Sequence, residues 1–310
     1  MRIVAALGGN ALLERGQPLT HANQSANARR AAKAIAPLCA AGHEVVITHG
    51  NGPQVGLLAL QSAAGPPDAQ QPFDVLSAET EGMLGYLIAQ GLRNALPAGH
   101  EVVSVLSQVM VDRNDPAFAK PTKPIGPVYR EAEARQMSQE WGWTIMPDGS
   151  GWRRAIASPR PVAILECEAI ASLVSQGFTV ICVGGGGIPV ARAVDGGLEG
   201  VEAVIDKDHA SGLLAGDLGA DCLLLLTDVD AVYRDWQTAS QQAIAEIDPD
   251  DLDPLALEPG TMRPKVEAAA TFVRDTGKRA VIGKSEDISE LLAGKAGTQF
   301  RRSKNVPAPE

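Results

Sequence analysis

The sequence predicts a doubly wound α/β fold, a mainly parallel sheet with helices on both faces, and three observations predict it. Apolar runs alternate with helix-like stretches along almost all of the 310 residues. Most of these runs are continuously hydrophobic rather than alternating, the pattern of parallel strands covered on both faces. Two of them end in glycine-asparagine motifs, where a strand would pass into a helix.

The elements follow in order. A strand over residues 3–7 leads into Gly8-Gly9-Asn10. A helix over about 20–41 has Thr20 placed to cap it and Gly42 where a helix end favours a left-handed residue. Pro37 within it predicts a kink or an earlier end, because proline lacks the N–H that the helix ladder needs. The strand over 44–48 runs into Thr48-His49-Gly50-Asn51-Gly52-Pro53-Gln54-Val55. A helix over 79–95 precedes a strand at 102–106, and a helix over 166–176, closed by Gly177, precedes a strand at 178–183. That strand ends in Gly184-Gly185-Gly186-Gly187-Ile188-Pro189. A helix over 208–216, a strand at 222–227, a helix over 263–275 and a strand at 280–282 complete the series.

Residues 112–161 break this rhythm. They are rich in proline and hold three of the four tryptophans. We read them as an inserted lid or protruding subdomain within one domain spanning 1–310, with Trp141, Trp143 and Trp152 supplying a small core.

Composition excludes several classes. A net charge of −10 argues against nucleic acid as a partner, and the basic cluster Arg301, Arg302 and Lys304 reads as a solvated tail. No run reaches the roughly 18–20 apolar residues that cross a membrane. Gly8-Gly9-Asn10 and Glu14 interrupt the N-terminal apolar stretch too early for a signal peptide. Cys39, Cys167, Cys182 and Cys222 form no C-x-x-C pair and read as free thiols of a reducing compartment, so a cytoplasmic location is expected. The five histidines show no metal-ligand spacing, and no protein-held metal site is predicted.

The glycine motifs carry the chemistry. Glycine lets a ligand approach the backbone N–H groups, and a helix N-terminus adds a favourable dipole for an anion. Two such seats on neighbouring strands suit two anionic groups held close together, such as a phosphoryl donor and its acceptor. The four successive glycines at 184–187 suggest a third anion site with several exposed N–H groups. A dinucleotide loop fails at Pro189, and a phosphate loop ending in Gly283-Lys284-Ser285 fails because Gly277 lies one residue too far upstream. His49 borders the second motif, with a site-edge role and a structural role equally open, and no serine-hydrolase elbow occurs. Phosphoryl transfer needs positioning and positive charge more than covalent chemistry. Lys123, Lys207 (between Asp206 and Asp208) and Lys265 stand at points suited to supply that charge.

Taken together, Leu7-Gly8-Gly9-Asn10-Ala11, His49 to Gly56, Pro121-Thr122-Lys123-Pro124-Ile125-Gly126-Pro127, Gly184 to Val190 and Ala203-Val204-Ile205-Asp206-Lys207-Asp208 resemble the carbamate kinase branch of the amino acid kinase family. Ala6-Leu7 stands where wider relatives carry a lysine, and the lid motif is particular to this branch. The resemblance runs from Met1 to about Gly297. It implies an open three-layer αβα sandwich, a homodimer, and reversible transfer between ATP and carbamate (ADP and carbamoyl phosphate), with Mg²⁺. It further implies that Gly8, Gly9 and Asn10 contact the transferring phosphoryl group. Gly50, Asn51 and Gly52 would seat carbamate, with Gly185, Gly186 and Gly187 nearby. Lys123 would swing in from the lid, Lys207 and Lys265 would neutralise phosphates, and Asp208 would orient the lysines. Thr227, Asp228, Val229, Tyr233 and Met262 would border the nucleotide.

Three positions depart from the family pattern: Ser150 where an arginine is usual, Asp228 within the nucleotide strand's end, and Arg263 in Gly260-Thr261-Met262-Arg263-Pro264-Lys265. The competing readings are another small-acid kinase of this fold and a non-catalytic nucleotide sensor. The retained charged residues argue against the sensor.

Overall fold

A computed structural model of the chain describes residues 1–14, 16–252 and 262–302, the side chains of Asn10 and Pro67 excepted. Its centre is an eight-stranded sheet in the order Glu246–Ile247, Thr298–Phe300, Arg279–Lys284, Cys222–Thr227, Arg2–Leu7, Glu44–His49, Thr179–Ile181, Val102–Ser104. The strands from Arg279–Lys284 to Val102–Ser104 are parallel throughout. The pair at the other end runs antiparallel to them. From Arg2–Leu7 the chain builds one side of the sheet, then returns to Cys222–Thr227 on the other. The strand order therefore reverses between these two neighbours, the place where open α/β sheets leave a crevice for ligands.

Both faces of the sheet are covered, as the continuous hydrophobic runs predict. Val4, Ala6, Val46, Leu223 and Leu225 pack on one side against Ile170, Ala210, Leu214, Val266 and Phe272. Ile3, Ala5, Leu7, Val45, Ile47 and Leu224 pack on the other against Ala28, Ile35, Leu84 and Ile88. Alternate residues of one strand thus serve opposite cores, which is the period of two that a strand imposes. Each buried Leu or Ile contributes about 1.5–3 kcal/mol relative to exposure. The result is a three-layer αβα sandwich.

Local signals hold with exceptions. Thr20 Oγ1 accepts the Asn23 N–H at 3.3 Å and caps the helix His21–Ala40. Of the two outcomes expected at Pro37, the early end does not occur, since that helix runs to Ala40. Proline in the last turn removes one bond only, and the Pro37 carbonyl still accepts the Ala41 N–H at 3.0 Å. Gly42 and Gly177 adopt φ of 78° and 88°, as expected past a helix end. The helix expected at 79–95 begins at Phe73, because Phe73 and Leu76 are buried in a third apolar cluster with Ile125 and Ile156. The helix Gly52–Ala63 was not expected as a separate element; Pro53 in its first turn pre-sets the backbone there. The strand expected at 102–106 ends at Ser104, and that expected at 178–183 covers Thr179–Ile181.

Within residues 112–161 lies a three-stranded antiparallel sheet, Lys123–Tyr129, Gly151–Ile156 and Ile145–Asp148, with the helix Glu131–Trp141. Trp141 and Trp143 stack with centroids 4.7 Å apart. The Arg154 guanidinium lies 4.4 Å from the Trp143 centroid and 4.7 Å from that of Phe73, which ties this sheet to the body. A four-stranded sheet, Leu198–Gly200, Ile188–Arg192, Gln108–Val111 and Pro161–Ile164, lies beside it in the chain path. Among the described residues no helix is long and apolar enough to cross a membrane.

Candidate active site

The site forms at the C-terminal edge of the parallel strands. Leu7 is in register with both His49 and Leu226, so the loops after these strands emerge side by side. The Gly8 N–H donates to the Leu226 carbonyl at 3.0 Å, and the Gly50 N–H donates to that of Leu7 at 3.1 Å. A Cβ on Gly8 would stand 2.9 Å from the Leu226 oxygen, so no other residue lets the loop lie this flat. A Cβ on Gly50 would stand 3.2 Å from the Gly9 nitrogen and 3.8 Å from Lys207 Cδ. The two glycine loops therefore touch, and the Lys207 side chain runs past their contact. These two amides extend the sheet ladder. Beyond them, the Ala11 N–H donates to the Gly8 carbonyl at 3.0 Å and the Val55 N–H to that of Asn51 at 2.9 Å, and Pro53 has no N–H, which leaves the amides of Gly9 and Asn10 and those of Gly52 and Gln54 as the first-turn donors for a ligand.

The third loop differs from its expected form. Gly184 donates to Glu81 at 2.9 Å, Gly186 to the Val183 carbonyl at 3.2 Å and Gly187 to that of Gly184 at 3.0 Å. The run thus exposes fewer N–H groups than four successive glycines suggest, because the turn consumes them. What the glycines allow is close approach: Gly185, at φ 68°, lies against the Asn51 side chain, where a Cβ would overlap the amide. Asn51 Nδ2 in turn donates to Thr80 Oγ1 at 2.8 Å.

The charges converge on two aspartates. Asp208 bridges two lysines: Lys207 Nζ donates to Oδ1 at 2.5 Å and Lys265 Nζ to Oδ2 at 2.9 Å. All three side chains are buried. Burial opposes ionisation of Asp208, but the two ammonium groups outweigh it and hold its carboxyl below the usual range. Burial likewise opposes the charge on Lys265, yet Asp208 prevails and raises it. For Lys207 burial wins, and its ammonium is held below the usual lysine value despite Asp208. Lys207 is therefore the one of the three whose charged form its surroundings disfavour.

Asp206 was not expected as a site residue. It caps the helix Lys207–Asp217 by accepting the Asp208 N–H at 2.9 Å, and it also receives Lys123 Nζ at 2.8 Å. An aspartate directly before a helix start is the signal that could have identified it. Its carboxyl lies well below the usual range; burial pushes it up, but Lys123 and His209 overcome that. Lys123 reaches it from the protruding sheet, whose strand crosses the helix Gly52–Ala63 where Gly56 meets Gly126 backbone to backbone. His49 is fully buried, with Nδ1 3.2 Å from the Gly50 carbonyl and, among the described residues, no hydrogen-bond partner for Nε2. Burial pulls its imidazole down to about 4.

The nucleotide-side residues are more dispersed. Thr227 ends its strand and donates to Asp228 Oδ1 at 3.1 Å; Val229 follows, half-buried. Met262 opens the helix that carries Lys265. Tyr233 is not brought to the lysines; its hydroxyl bonds Asp230 at 2.9 Å and its ring lies 5.1 Å from that of Trp236. Ser150 lies exposed in the turn between two strands of the protruding sheet, and Arg263 is half-buried in the first turn after Met262. Gly260, Thr261 and Lys304 lie outside the described residues. Arg302 departs from the solvated-tail reading, since its guanidinium donates to the Arg274 carbonyl at 3.0 Å. Among the described residues no three His, Cys, Asp or Glu side chains group to hold a metal ion.

Known proteins resemble this chain in sequence and fold. The amino acid kinase family model matches residues 1–284. The chain is 50% identical over 302 residues to the carbamate kinase of Haemophilus influenzae, covering 97% of both chains. It is 50% identical over 300 residues to that of Rhizobium meliloti, covering 96% of this chain and 92% of the other. The carbamate kinase of Giardia lamblia bound to citric acid superposes with a TM-score of 0.89 at 38% identity, over 97% of this chain and 98% of that one. The same enzyme bound to AMP-PNP superposes with a TM-score of 0.85 at 36% identity over the same shares.

Proposed function

The chain belongs to the amino acid kinase family as a phosphotransferase of its carbamate kinase branch, and on that premise we propose that it catalyses ATP + carbamate ⇌ ADP + carbamoyl phosphate, running toward ATP in the cell. The observation that carries this reading is the buried Lys207–Asp208–Lys265 bridge beside two touching glycine loops. In the ATP-forming direction a β-phosphate oxygen of ADP attacks the phosphorus of carbamoyl phosphate. The P–O bond to carbamate breaks, and the leaving carboxylate takes the electron pair. No proton need move, so the protein's task is alignment and charge neutralisation.

The first-turn amides of Gly9 and Asn10 would meet the transferring group, with Gly8 letting the loop approach. The loop Gly50–Asn51–Gly52 would seat carbamate, and the backbone of Gly185–Gly187 would close that pocket by contact rather than by donating several N–H groups. Lys207 and Lys265 would balance the phosphate charge at either end of the transfer, with Asp208 fixing their spacing. Lys123 would leave Asp206 for the carbamoyl phosphate. The nucleotide would lie along Thr227, Asp228, Val229 and Met262, with Tyr233 at its rim; the AMP-PNP held by the Giardia relative supports a nucleotide site. Mg²⁺ would enter as part of the nucleotide substrate, on phosphate oxygens, as is usual for this ion.

ATP formation from ADP, Mg²⁺ and carbamoyl phosphate tests the reaction, because spontaneous decay of carbamoyl phosphate makes no ATP. Activity in the wild type that falls about a thousandfold or more in Lys207→Ala is the expected result. ADP binding without ATP formation would instead establish a sensor.

We also propose a homodimer in a cytoplasmic setting. The edge strand Val102–Ser104 leaves its ladder open, and Met83, Tyr86 and Leu106 are exposed, with Tyr86 at 57%. A monomer mass in sedimentation would remove the homodimer.

A further inference from the structure

The helix Phe73–Ala95 carries one carboxylate into the interior that the phosphoryl-transfer chemistry does not use. Glu81 is 1% exposed, yet among the described residues no cation pairs with it. Its Oε1 accepts the Gly184 N–H at 2.9 Å, and its Oε2 accepts the Ser107 N–H at 3.2 Å. Ser107 completes the arrangement, since its hydroxyl oxygen accepts the Val183 N–H at 3.0 Å while its O–H donates to the Val105 carbonyl at 3.1 Å. One carboxylate and one hydroxyl therefore hold two successive amides at the entry to the glycine run.

Those two residues are where the backbone is least willing to go. Val183 has φ 53°, in the left-handed region, and is wholly buried. That conformation is strained for a β-branched residue and persists only where the surroundings over-determine it. At Gly184 a Cβ would come within 3 Å of both His49 Nε2 and Glu81 Cγ, so the two buried side chains flank one vacant point. The turn held in this way brings Gly185 against the Asn51 side chain, in the loop that seats the acceptor.

We propose that Glu81 is a positioning residue for the acceptor pocket: with Ser107 it holds the strained Val183–Gly184 turn, so that the Gly185–Gly187 wall stays closed on Asn51 and on carbamoyl phosphate. Its effect belongs to one substrate. The nucleotide residues Thr227, Val229 and Met262 lie at the end of the strand Cys222–Thr227, in the bend after it and at the start of the helix Met262–Thr276, and no hydrogen bond joins them to Glu81 or Ser107 among the described residues. This inference rests on the carbamate kinase reading.

The test is steady-state ATP formation by wild type, Glu81→Gln, Glu81→Ala and Ser107→Ala, titrating each substrate separately and recording thermal unfolding. The expected result is a KM for carbamoyl phosphate raised about tenfold in Glu81→Gln, which keeps one acceptor, and further in Glu81→Ala, which keeps none. The KM for ADP should stay within about twofold in both. Ser107→Ala should move the same constant in the same direction. Calorimetric titration with phosphonoacetamide, a stable carbamoyl phosphate analogue, should show the same order of weakening. An active wild type whose Glu81 variants keep the carbamoyl phosphate KM, or lose both KM values equally, overturns the positioning role alone. A wild type that neither makes ATP nor binds the analogue overturns the reading beneath it as well.

Discussion

Lys207 and Lys265 stand in the body of the molecule, whereas Lys123 stands on the protruding sheet, and the two regions hold their charges by different means. The body lysines are buried and share one carboxylate, with side-chain exposures of 10% and 8%. Lys123 is 22% exposed and meets Asp206 across a gap of 83 residues in sequence. The body pair is set by burial: the two ammonium groups are offset chiefly by Asp208, which lies between them. Lys123 keeps more of its side chain in water but is also firmly paired, since it does most to hold the Asp206 carboxyl below the usual range against burial. Charge in the body is thus shared within one buried bridge, while the charge of the appended sheet is held by an ion pair between two distant segments.

The comparison can be broken most directly at Asp208. Asp208→Ala removes the carboxylate that two buried ammonium groups share, and a loss of about 3–5 kcal/mol in unfolding free energy is expected, together with loss of ATP formation. Urea unfolding measures it; a loss below about 1 kcal/mol would mean that the body lysines do not depend on the bridge.

A second effect of burial in the body is read through pH. The usual histidine value near 6.5 falls to about 4 for His49 in the folded chain, so between those values the unfolded chain binds more protons. Stability should therefore rise with pH through that window. At about 1.4 kcal/mol per pH unit, about 3 kcal/mol is lost on acidification from 7 to 4. Glu81 slopes the other way, because burial raises its carboxyl to about 8 and the folded chain then binds more protons between 4.5 and that value. The contribution of His49 is isolated as the difference between wild type and His49→Gln, and parallel pH profiles for the two would contradict it.

The smallest expected change in stability is that of Lys123→Ala, about 1–3 kcal/mol, because the largely buried Asp206 loses the ammonium that pairs with it. Its kcat should nevertheless fall about a hundredfold. A loss of stability as large as that of Asp208→Ala would place Lys123 with the body lysines and dissolve the distinction between the regions.

Legibility in the sequence followed the range of the interactions. The strands announced themselves by continuous apolar runs, and the N-cap of His21–Ala40 by Thr20, because these are local or periodic properties. Pro37 misled for the same reason: its local rule is strong, but in a last turn it removes a single bond. Glu81 could not be read, since its amide partners Ser107 and Gly184 lie 26 and 103 residues away. Nor could the engaged amides of Gly184–Gly187, whose number suggested donors where the turn had already spent them.

By itself the sequence determined the layered α/β fold, the glycine loops at strand ends and the identity of the three lysines, because hydrophobic period and backbone permissiveness act over a few residues. Only the tertiary structure decided that Asp208 bridges Lys207 to Lys265, that Asp206 receives Lys123 and that Glu81 restrains Val183–Gly184. Those assignments depend on which charges are removed from water together, and only the packing of distant segments brings that about.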